Sequence, residues 1–305
     1  MARKTNNTIS IEKATALFLA KIKIKVKEST FSRYNFVCEK HIIQYFKDIE
    51  LHHLNNKIIN NFIQSKLEHG LSAKTVNDII YLLLQIIKPY CKFDIDIEKP
   101  SCRQNEISIF TEPEYNRLIE YLAIGTDSKK LGIIIVMLTG IRIGELCALK
   151  WENINLENGT IFINKTMQRV KTTDKKDTKK TKIIIDVPKS TASIRVIPIH
   201  SMLLAKLKEF KTHDNSYILT NSTKYIEPRI YTRHFKSYLN ACGIKGNTFH
   251  TLRHTFATMS ISRKMDTKSL SMLLGHTDVA FTMKRYVHPN IEHRRIQIEK
   301  LEFDF

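Results

Sequence analysis

A histidine and arginine cluster in "FHTLRHTFAT", residues 249–258, is the first feature of this sequence that could do chemistry. On a helix, His250 and Arg253 share one face and are separated by about 4.5 Å along the axis. His254 is predicted to point to the edge of that face or elsewhere. A guanidinium and an imidazole side by side could hold an anionic oxygen. A metal site is disfavoured, because Thr251 stands where the zinc-protease pattern HExxH needs Glu.

Three further segments carry residues that could act with this cluster. In "TGIRIGELCALKW", Arg142 and Glu145 share a helix face, and a surface ion pair is the alternative interpretation. Lys189 is predicted at a turn between two strands, where its ammonium could project; otherwise it is one lysine among many. In "LLGHTDVAFTMKRYVH", His276 is followed ten residues later by Tyr286, which alone would be read as a packing or surface residue.

The charge balance indicates a polyanionic partner. The chain has 305 residues, with 49 Lys and Arg against 30 Asp and Glu, a net charge of +19 and a pI near 9.6. Nucleic acid is the first candidate and an anionic membrane surface the second. The apolar run at 131–141 is too short to span a bilayer, and "MARKTNNTISI" lacks the apolar region of a signal peptide. We therefore expect a globular protein of the cytoplasm.

The cysteines predict neither a disulfide framework nor a zinc site. They are odd in number, widely scattered and without CxxC spacing, so we interpret them as reduced thiols in packing positions. They are Cys38, Cys91, Cys102, Cys147 and Cys242.

Helical periodicity dominates residues 10–90, where four runs place apolar residues at three-to-four spacing. Gly70 suits a helix C-terminal cap, and Ser72 opens the next helix. The periodicity is lost afterwards around Pro100. We therefore predict a helical first domain at residues 1–95, a linker at 96–105 and a second domain at 106–305.

The second domain is predicted to be mainly α-helical with a small antiparallel β-sheet. It opens at Thr111, which forms the pattern of a capping box with Glu114. The Lys-rich segment 171–180 is interpreted as a solvated hairpin tip rather than a DNA-binding loop. Helical patterns return from residue 201. The predicted strands are β-branched runs at 159–170, 181–188 and 193–200.

Taken together, the motifs resemble those of the tyrosine recombinases, the phage-integrase family. The family's order of Arg, Lys, His-x-x-Arg, His or Trp, and Tyr falls on Arg142, Lys189, His250, Arg253, His276 and Tyr286. The resemblance to the catalytic domain covers residues 106–290, and the helical residues 10–90 resemble the family's core-type, SAM-like DNA-binding domain. Thr251 departs from the pattern, since many members have Asp there.

The resemblance implies DNA cleavage and rejoining through a 3′-phosphotyrosine. Arg142 and Arg253 would hold the nonbridging oxygens of a phosphodiester, whose negative charge grows during attack on phosphorus. His250 and His276 could donate further hydrogen bonds there. Tyr286 would be the nucleophile, with His250 as candidate general base. Lys189 resembles the family's general acid for the leaving 5′ oxygen, and no metal, ATP or other cofactor is required.

The family also implies particular partners. Four protomers would bind two double-stranded DNA sites and pass through a four-way junction, and a directionality factor is a further candidate partner. Arg33 and Lys74 are candidates for contacts with the DNA backbone. The amphipathic C-terminal segment "IEHRRIQIEKLEFDF" could dock on a neighbouring protomer or on its own domain.

Integration or excision of a mobile element is the function that this resemblance favours. About nine residues precede the first predicted helix, so an additional N-terminal arm-binding domain is expected to be missing. Three alternatives are a chromosome-dimer resolvase of Xer type, a DNA-binding protein of this fold without catalysis, and a type IB topoisomerase. A covalent protein–DNA adduct would exclude the second, and a relaxation assay would identify the third.

Overall fold

The chain forms two compact units. The computed structural model describes residues 9–91, 93–102, 107–173, 178–188, 190–286, 295, 298 and 299. Met1–Asn105 and Val170–Lys182 make up the first unit, and Glu106–Arg169 and Ile183–Phe305 the second. The described part is mainly helical with short antiparallel strands, which confirms the predicted fold class. None of its helices is long and apolar enough to cross a membrane.

Five helices build the first unit around one apolar core. Polar caps start three of them, because the side chains of Ser10, Asn55 and Ser72 each accept a hydrogen bond from a first-turn backbone N–H. Gly70 follows α4 with a φ of 77°, as predicted for a helix end. A π-helical segment, Cys38–Ile43, joins α2 to α3. The helices are α1 (Ile11–Lys23), α2 (Glu28–Val37), α3 (Gln44–Phe46), α4 (Asn56–Glu68) and α5 (Ala73–Ile87).

The outer part of a β-hairpin, Val170–Lys182, belongs to this first unit. The Ser32 hydroxyl donates a 2.8 Å hydrogen bond to the carbonyl of Lys171, whose ammonium lies 3.3 Å from the ring centroid of Phe36. Lys182 forms a 2.6 Å ion pair with Glu28. Lys171 is exposed, as expected for a solvated segment, and its ammonium also contacts an aromatic face. Residues 174–177 lie outside the described part.

Helices α6 to α13 form the second unit around Trp151, Tyr231 and Phe235, which are fully buried. The predicted capping box is confirmed, since Thr111 and Glu114 satisfy each other's backbone N–H groups. The helices are α6 (Glu112–Ala123), α7 (Ser128–Thr139), α8 (Ile143–Ala148), α9 (Ser201–Phe210), α10 (Pro228–Ala241), α11 (Phe249–Ser262), α12 (Thr267–Leu274) and α13 (Val279–Tyr286).

Within the described residues the strands form two small antiparallel sheets, where the sequence had predicted one. The first apolar run divides at Asn164 and Lys165, and its two halves join different sheets. In the larger sheet Ile161 pairs with Ile197 and Ile163 with Arg195, so all four side chains lie on its buried face. The larger sheet has the order β1 (Ile154–Asn155), β2 (Thr160–Ile163), β5 (Arg195–Pro198), and the smaller pairs β3 (Thr166–Lys171) with β4 (Thr181–Asp186).

Candidate active site

A polar cluster in the second unit collects the ends of four helices. Arg142 is the residue that starts α8, and its guanidinium is about one third exposed. Its Nη1 donates a 2.9 Å hydrogen bond to Glu145, which also accepts from the backbone N–H of Arg142. Nη2 donates a longer one, 3.3 Å, to the carbonyl of Gly275 after α12. Glu145 and the carbonyl of Gly275 therefore fix the guanidinium of Arg142, while part of it stays exposed to solvent.

Arg253 lies deeper, at 2% exposure, and donates to two helix C-termini. Nη1 donates to the carbonyl of Gly140 at the end of α7, and Nη2 to the carbonyl of Leu274 at the end of α12, both at 2.7 Å. The unpaired carbonyls of a helix C-terminus attract a cation. Burial and the charge of Arg142 lower the pKa of Arg253 to about 9, so the guanidinium stays charged at neutral pH.

Gly140 permits the close approach of α7 and α11. Its φ is 66°, and a Cβ at this position would lie 2.5 Å from a ring carbon of Phe256. Any other residue would strain the left-handed backbone and displace either the ring or the carbonyl that Arg253 binds. The sequence "TG" before Arg142 therefore has a packing reason.

His276 is neutral and oriented from both sides. Burial and the charges of Arg253, Arg142 and Arg195 lower its pKa to about 4. Nε2 lies 2.9 Å from Nη2 of Arg253, which can only donate, so Nε2 accepts and Nδ1 carries the proton. Nδ1 then donates to the buried hydroxyl of Thr282, 2.8 Å away. His276 is therefore a hydrogen-bond acceptor for Arg253.

Tyr286 ends α13 and is bound by His254. Its Oη lies 2.8 Å from Nδ1 of His254, and the two side chains are 6% and 9% exposed. His250 is exposed and packs edge-to-face against His254, with ring centroids 4.4 Å apart. His254, predicted to point to the edge of the helix face or elsewhere, lies on the side of α11 where α13 packs.

The two groups in this contact are both neutral at neutral pH. Burial raises the pKa of Tyr286, although the charges of Arg253, Arg285 and Arg142 act to lower it. Burial lowers the pKa of His254 to about 4, and the charges of His250, Arg285 and Arg253 act in the same direction. The phenol therefore keeps its proton in the absence of substrate.

Glu145 connects the arginine cluster to the sheet. The alternative interpretation of Arg142 and Glu145 as a surface ion pair is wrong, since Glu145 is 2% exposed and also binds Arg195. Burial would raise the pKa of Glu145, but the hydrogen bond and charge of Arg195 and the charge of Arg142 outweigh it and lower the pKa. The carboxylate is therefore ionised and orients two cations.

Sequence reasoning left three residues of the cluster unassigned. Arg195 and Ile197 are two residues apart in β5 and lie on the same buried face. A charged residue at a buried position of a strand indicates a buried partner, and this signal could have been read from the sequence. His254 lies four residues after His250, which places it on a neighbouring part of the α11 surface. Thr282 gave no signal, because its role depends on how α13 packs beside α12.

The remaining predicted residues lie apart or outside the described part. Lys189 is not among the described residues, although its neighbours Pro188 and Ser190 are. In the first unit, Arg33 on α2 is exposed and forms a 2.5 Å ion pair with Asp78. Lys74 is exposed in the first turn of α5.

One group of side chains among the described residues has metal-ligand spacing. The ligand atoms of Glu50, His52 and His53, all exposed, lie within 4.8 Å of one another. They belong to the first unit and not to the arginine cluster of the second unit. No chemistry of the cluster is assigned to them.

A helical chain that collects two arginines, three histidines and a tyrosine has the features of a tyrosine recombinase. Residues 108–293 match the phage integrase family, and residues 11–67 match the SAM-like N-terminal domain of phage integrases. A tyrosine recombinase XerC-like protein of Caldanaerobacter subterraneus subsp. tengcongensis is 27% identical, over 92% of this chain and 79% of that protein. The chain belongs to the phage integrase family and is a tyrosine recombinase, an enzyme of site-specific DNA recombination.

Solved structures share the fold. The Tn1549 transposon integrase in complex with a circular intermediate DNA superposes with a TM-score of 0.75 at 20% identity, over 96% of this chain and all of that one. A lambda integrase tetramer bound to a Holliday junction gives a TM-score of 0.66 at 17% identity, over 95% of this chain and 82% of that one. The described helices and sheets thus follow an architecture that occurs in DNA-bound integrases.

Proposed function

We propose that Tyr286 attacks a DNA phosphodiester held by Arg142 and Arg253, leaving a 3′-phosphotyrosine and a free 5′-hydroxyl. The observation that carries this is the 2.8 Å contact between the Tyr286 phenol and His254, the residue that follows Arg253 on α11. A nucleophile beside fixed cations meets the phosphate where negative charge develops.

The two arginines would offer different N–H groups to the phosphate. Arg142 presents the accessible fork, while buried Arg253 uses Nη1 and Nη2 in three contacts that leave its Nε–H and a second Nη1 hydrogen to donate. Exposed His250 can donate to the same phosphate, and His276 can do so if it exchanges its contact with Arg253. Lys189 is proposed as the acid that protonates the leaving 5′ oxygen.

Strand exchange follows when a second DNA hydroxyl attacks the phosphotyrosine, so the bond energy is conserved without ATP. We propose that four protomers perform these exchanges on two DNA sites, since a related integrase forms a tetramer on a Holliday junction. The helical residues 1–95 would bind the DNA, with 96–105 as a linker to the catalytic residues 106–305. Arg33 and Lys74 are proposed phosphate contacts, and binding would weaken strongly with salt.

The DNA substrate is proposed to be the ends of a mobile element. The likeness to a transposon integrase along nearly the whole chain supports this, whereas the XerC-like relative supports the alternative of a chromosome-dimer resolvase. Because the substrate is genomic DNA, the protein is expected in the cytoplasm. A directionality factor is a proposed partner that would bias integration against excision.

A suicide DNA substrate tests the proposal. The duplex is taken from the ends of the native element and nicked beside the cleavage point, so that the released fragment diffuses away. With EDTA present, wild type and the control Tyr225→Phe, which alters an exposed tyrosine, should form a slow-migrating adduct on a denaturing gel. Tyr286→Phe should form none. An adduct with Tyr286→Phe would overturn the assignment of the nucleophile.

A further inference from the structure

His254 is a buried titratable side chain in direct contact with the nucleophile, and the mechanism above gives it no role. Its Nδ1 lies 2.8 Å from Oη of Tyr286. It comes directly after Arg253 on α11, so the helix that supplies the buried arginine also supplies this contact. Among the described residues no hydrogen bond joins His250, the candidate base, to Tyr286.

Both partners of this hydrogen bond are neutral at neutral pH. Burial and the charges of His250, Arg285 and Arg253 lower the pKa of His254, and burial raises the pKa of Tyr286. A neutral imidazole has one nitrogen that donates and one that accepts, and a protonated phenol can donate. Either group could donate in this contact; when the imidazole proton is on Nε2, the tautomer that the proposal below requires, the O–H of Tyr286 donates to Nδ1.

We propose that His254 is the general base that takes the proton of Tyr286 as its Oη attacks the DNA phosphorus. The O–H bond breaks, the proton passes to Nδ1, and the electron pair of Oη forms the bond to phosphorus. The bond from phosphorus to the 5′ oxygen breaks, and that oxygen receives its proton from a separate acid, proposed above as Lys189. On rejoining, the imidazolium returns its proton to the departing Tyr286. The inference rests on Tyr286 being the nucleophile.

DNA itself strengthens this base. Burial is the largest cause of the low basicity of His254, and cations on both packed helices add to it, namely His250 when protonated and Arg253 on α11, and Arg285 on α13. A phosphodiester bound to the arginines adds a negative charge beside them and offsets their effect. His254 is therefore a poor base without DNA and a better one when the scissile phosphate is in place.

The positions of the two histidines give them different tasks. His250 is exposed, where a DNA phosphate can reach it, and the edge-to-face ring contact places it against buried His254. His250 is thus suited to donate to the phosphate, and His254 to serve the phenol. This assignment replaces His250 as the base while keeping it in the site.

The test uses the full-length protein and single-turnover cleavage of the suicide substrate. His254→Asn keeps a hydrogen-bond acceptor near the position of Nδ1 but cannot take the proton. At neutral pH this variant should cleave about 100-fold more slowly or worse, as expected for loss of a general base. Its rate should then rise about tenfold per pH unit up to about pH 9, because the ionised phenol no longer needs a base.

A second substrate separates the base from the acid. When sulfur replaces the bridging 5′ oxygen, the leaving group departs without a proton. This substrate should restore cleavage by Lys189→Ala and should leave the defect of His254→Asn unchanged. The matched control His250→Asn should be slower but should follow the pH profile of the wild type. DNA binding by each variant is measured in parallel to show that it is folded.

Three results would overturn the proposal. If His254→Asn had the rate and pH profile of the wild type, His254 would be only a hydrogen-bond acceptor. If the rise of rate with pH appeared in His250→Asn instead, His250 would be the base. Nitrogen chemical shifts of ¹⁵N-histidine in the unmodified protein provide a check that needs no substitution. A proton on Nδ1 rather than Nε2 of His254 would contradict the direction of transfer. Adduct formation by Tyr286→Phe would instead identify a failure of the proposed function.

Discussion

Glu145 binds Arg195 with both carboxylate oxygens, at 2.9 and 3.2 Å, and the two side chains are 2% and 8% exposed. The same carboxylate accepts from Arg142, so one buried anion fixes both the cation that we propose to bind phosphate and a cation that belongs to the sheet. The geometry of the phosphate site is thus tied to the core of the domain, and loss of the anion would damage both.

Replacement of Glu145 by Gln should destabilise the protein strongly. The change keeps the shape but leaves buried Arg195 without its counter-charge, and breaking a buried pair costs about 3–5 kcal/mol. Urea unfolding at neutral pH should show the loss as a lower midpoint. Asp78→Asn is the matched control, because it breaks the exposed pair with Arg33 and should cost about 1 kcal/mol or less. Equal losses in the two variants would contradict this account of Glu145.

Stability should fall as the pH drops from about 6.5 towards 4. Burial and nearby cations lower the pKa of His254 and His276 to about 4 in the fold, against 6.5 for an ordinary histidine. The unfolded chain therefore binds protons first as the pH falls, and protonation draws the equilibrium towards it. Thermal unfolding at stepped pH should show a shallower decline in His276→Gln than in the wild type. The exposed-site control His213→Gln should decline like the wild type, and no difference between the variants would contradict the prediction.

Gly140→Ala should lower the free energy of unfolding by more than the strain of a left-handed backbone alone. Gly125 has a similar φ, 55°, but a Cβ added there would have no atom within 4 Å, so Gly125→Ala isolates the backbone strain, about 1–2 kcal/mol. Gly140→Ala adds the clash with Phe256 and should also slow cleavage, because its carbonyl binds Arg253. Chemical unfolding and adduct formation measure the two effects. Similar unfolding free energies and cleavage rates for Gly140→Ala and Gly125→Ala would show that the close approach of Gly140 to Phe256 is unimportant.

Thr282→Val should impair cleavage more than it impairs folding. The valine keeps the shape but removes the acceptor for Nδ1–H of His276, so the imidazole keeps only its contact with Arg253 to orient it. An unsatisfied buried donor costs about 1–3 kcal/mol, so we expect a loss of about tenfold or more in cleavage rate. Thr232→Val is the control, because the Thr232 hydroxyl donates to the carbonyl of Pro228 within α10. Wild-type cleavage by Thr282→Val would mean that the contact with Thr282 is not needed to orient His276.

The sequence predicted what local patterns encode. Apolar periodicity located the helices of the first unit, and the spacing of Thr111 and Glu114 located the start of α6, because both signals lie within one or two helical turns. The division into two sheets escaped prediction, since the run 159–170 is β-branched on both sides of Asn164 and its strand partners are distant in sequence. Secondary structure was therefore predictable, and strand pairing was not.

The same limit applies to the site. Motif spacing selected His250, Arg253, His276 and Tyr286, which the structure brings into one cluster. It could not assign His254, because only the packing of α13 against α11 places Tyr286 over that ring. The residues proposed to contact the phosphate could be found from a motif, whereas the residues that orient them could be found only from the tertiary packing.

The most direct test of the central claim is to locate the covalent bond. The adduct formed on the suicide substrate is digested with trypsin and nuclease and analysed by mass spectrometry. Cleavage after Arg285 releases residues 286–294, a peptide that contains one tyrosine. We expect the nucleotide mass on this peptide, with fragment ions that place it on Tyr286. A nucleotide on any other residue would contradict the account of the active site.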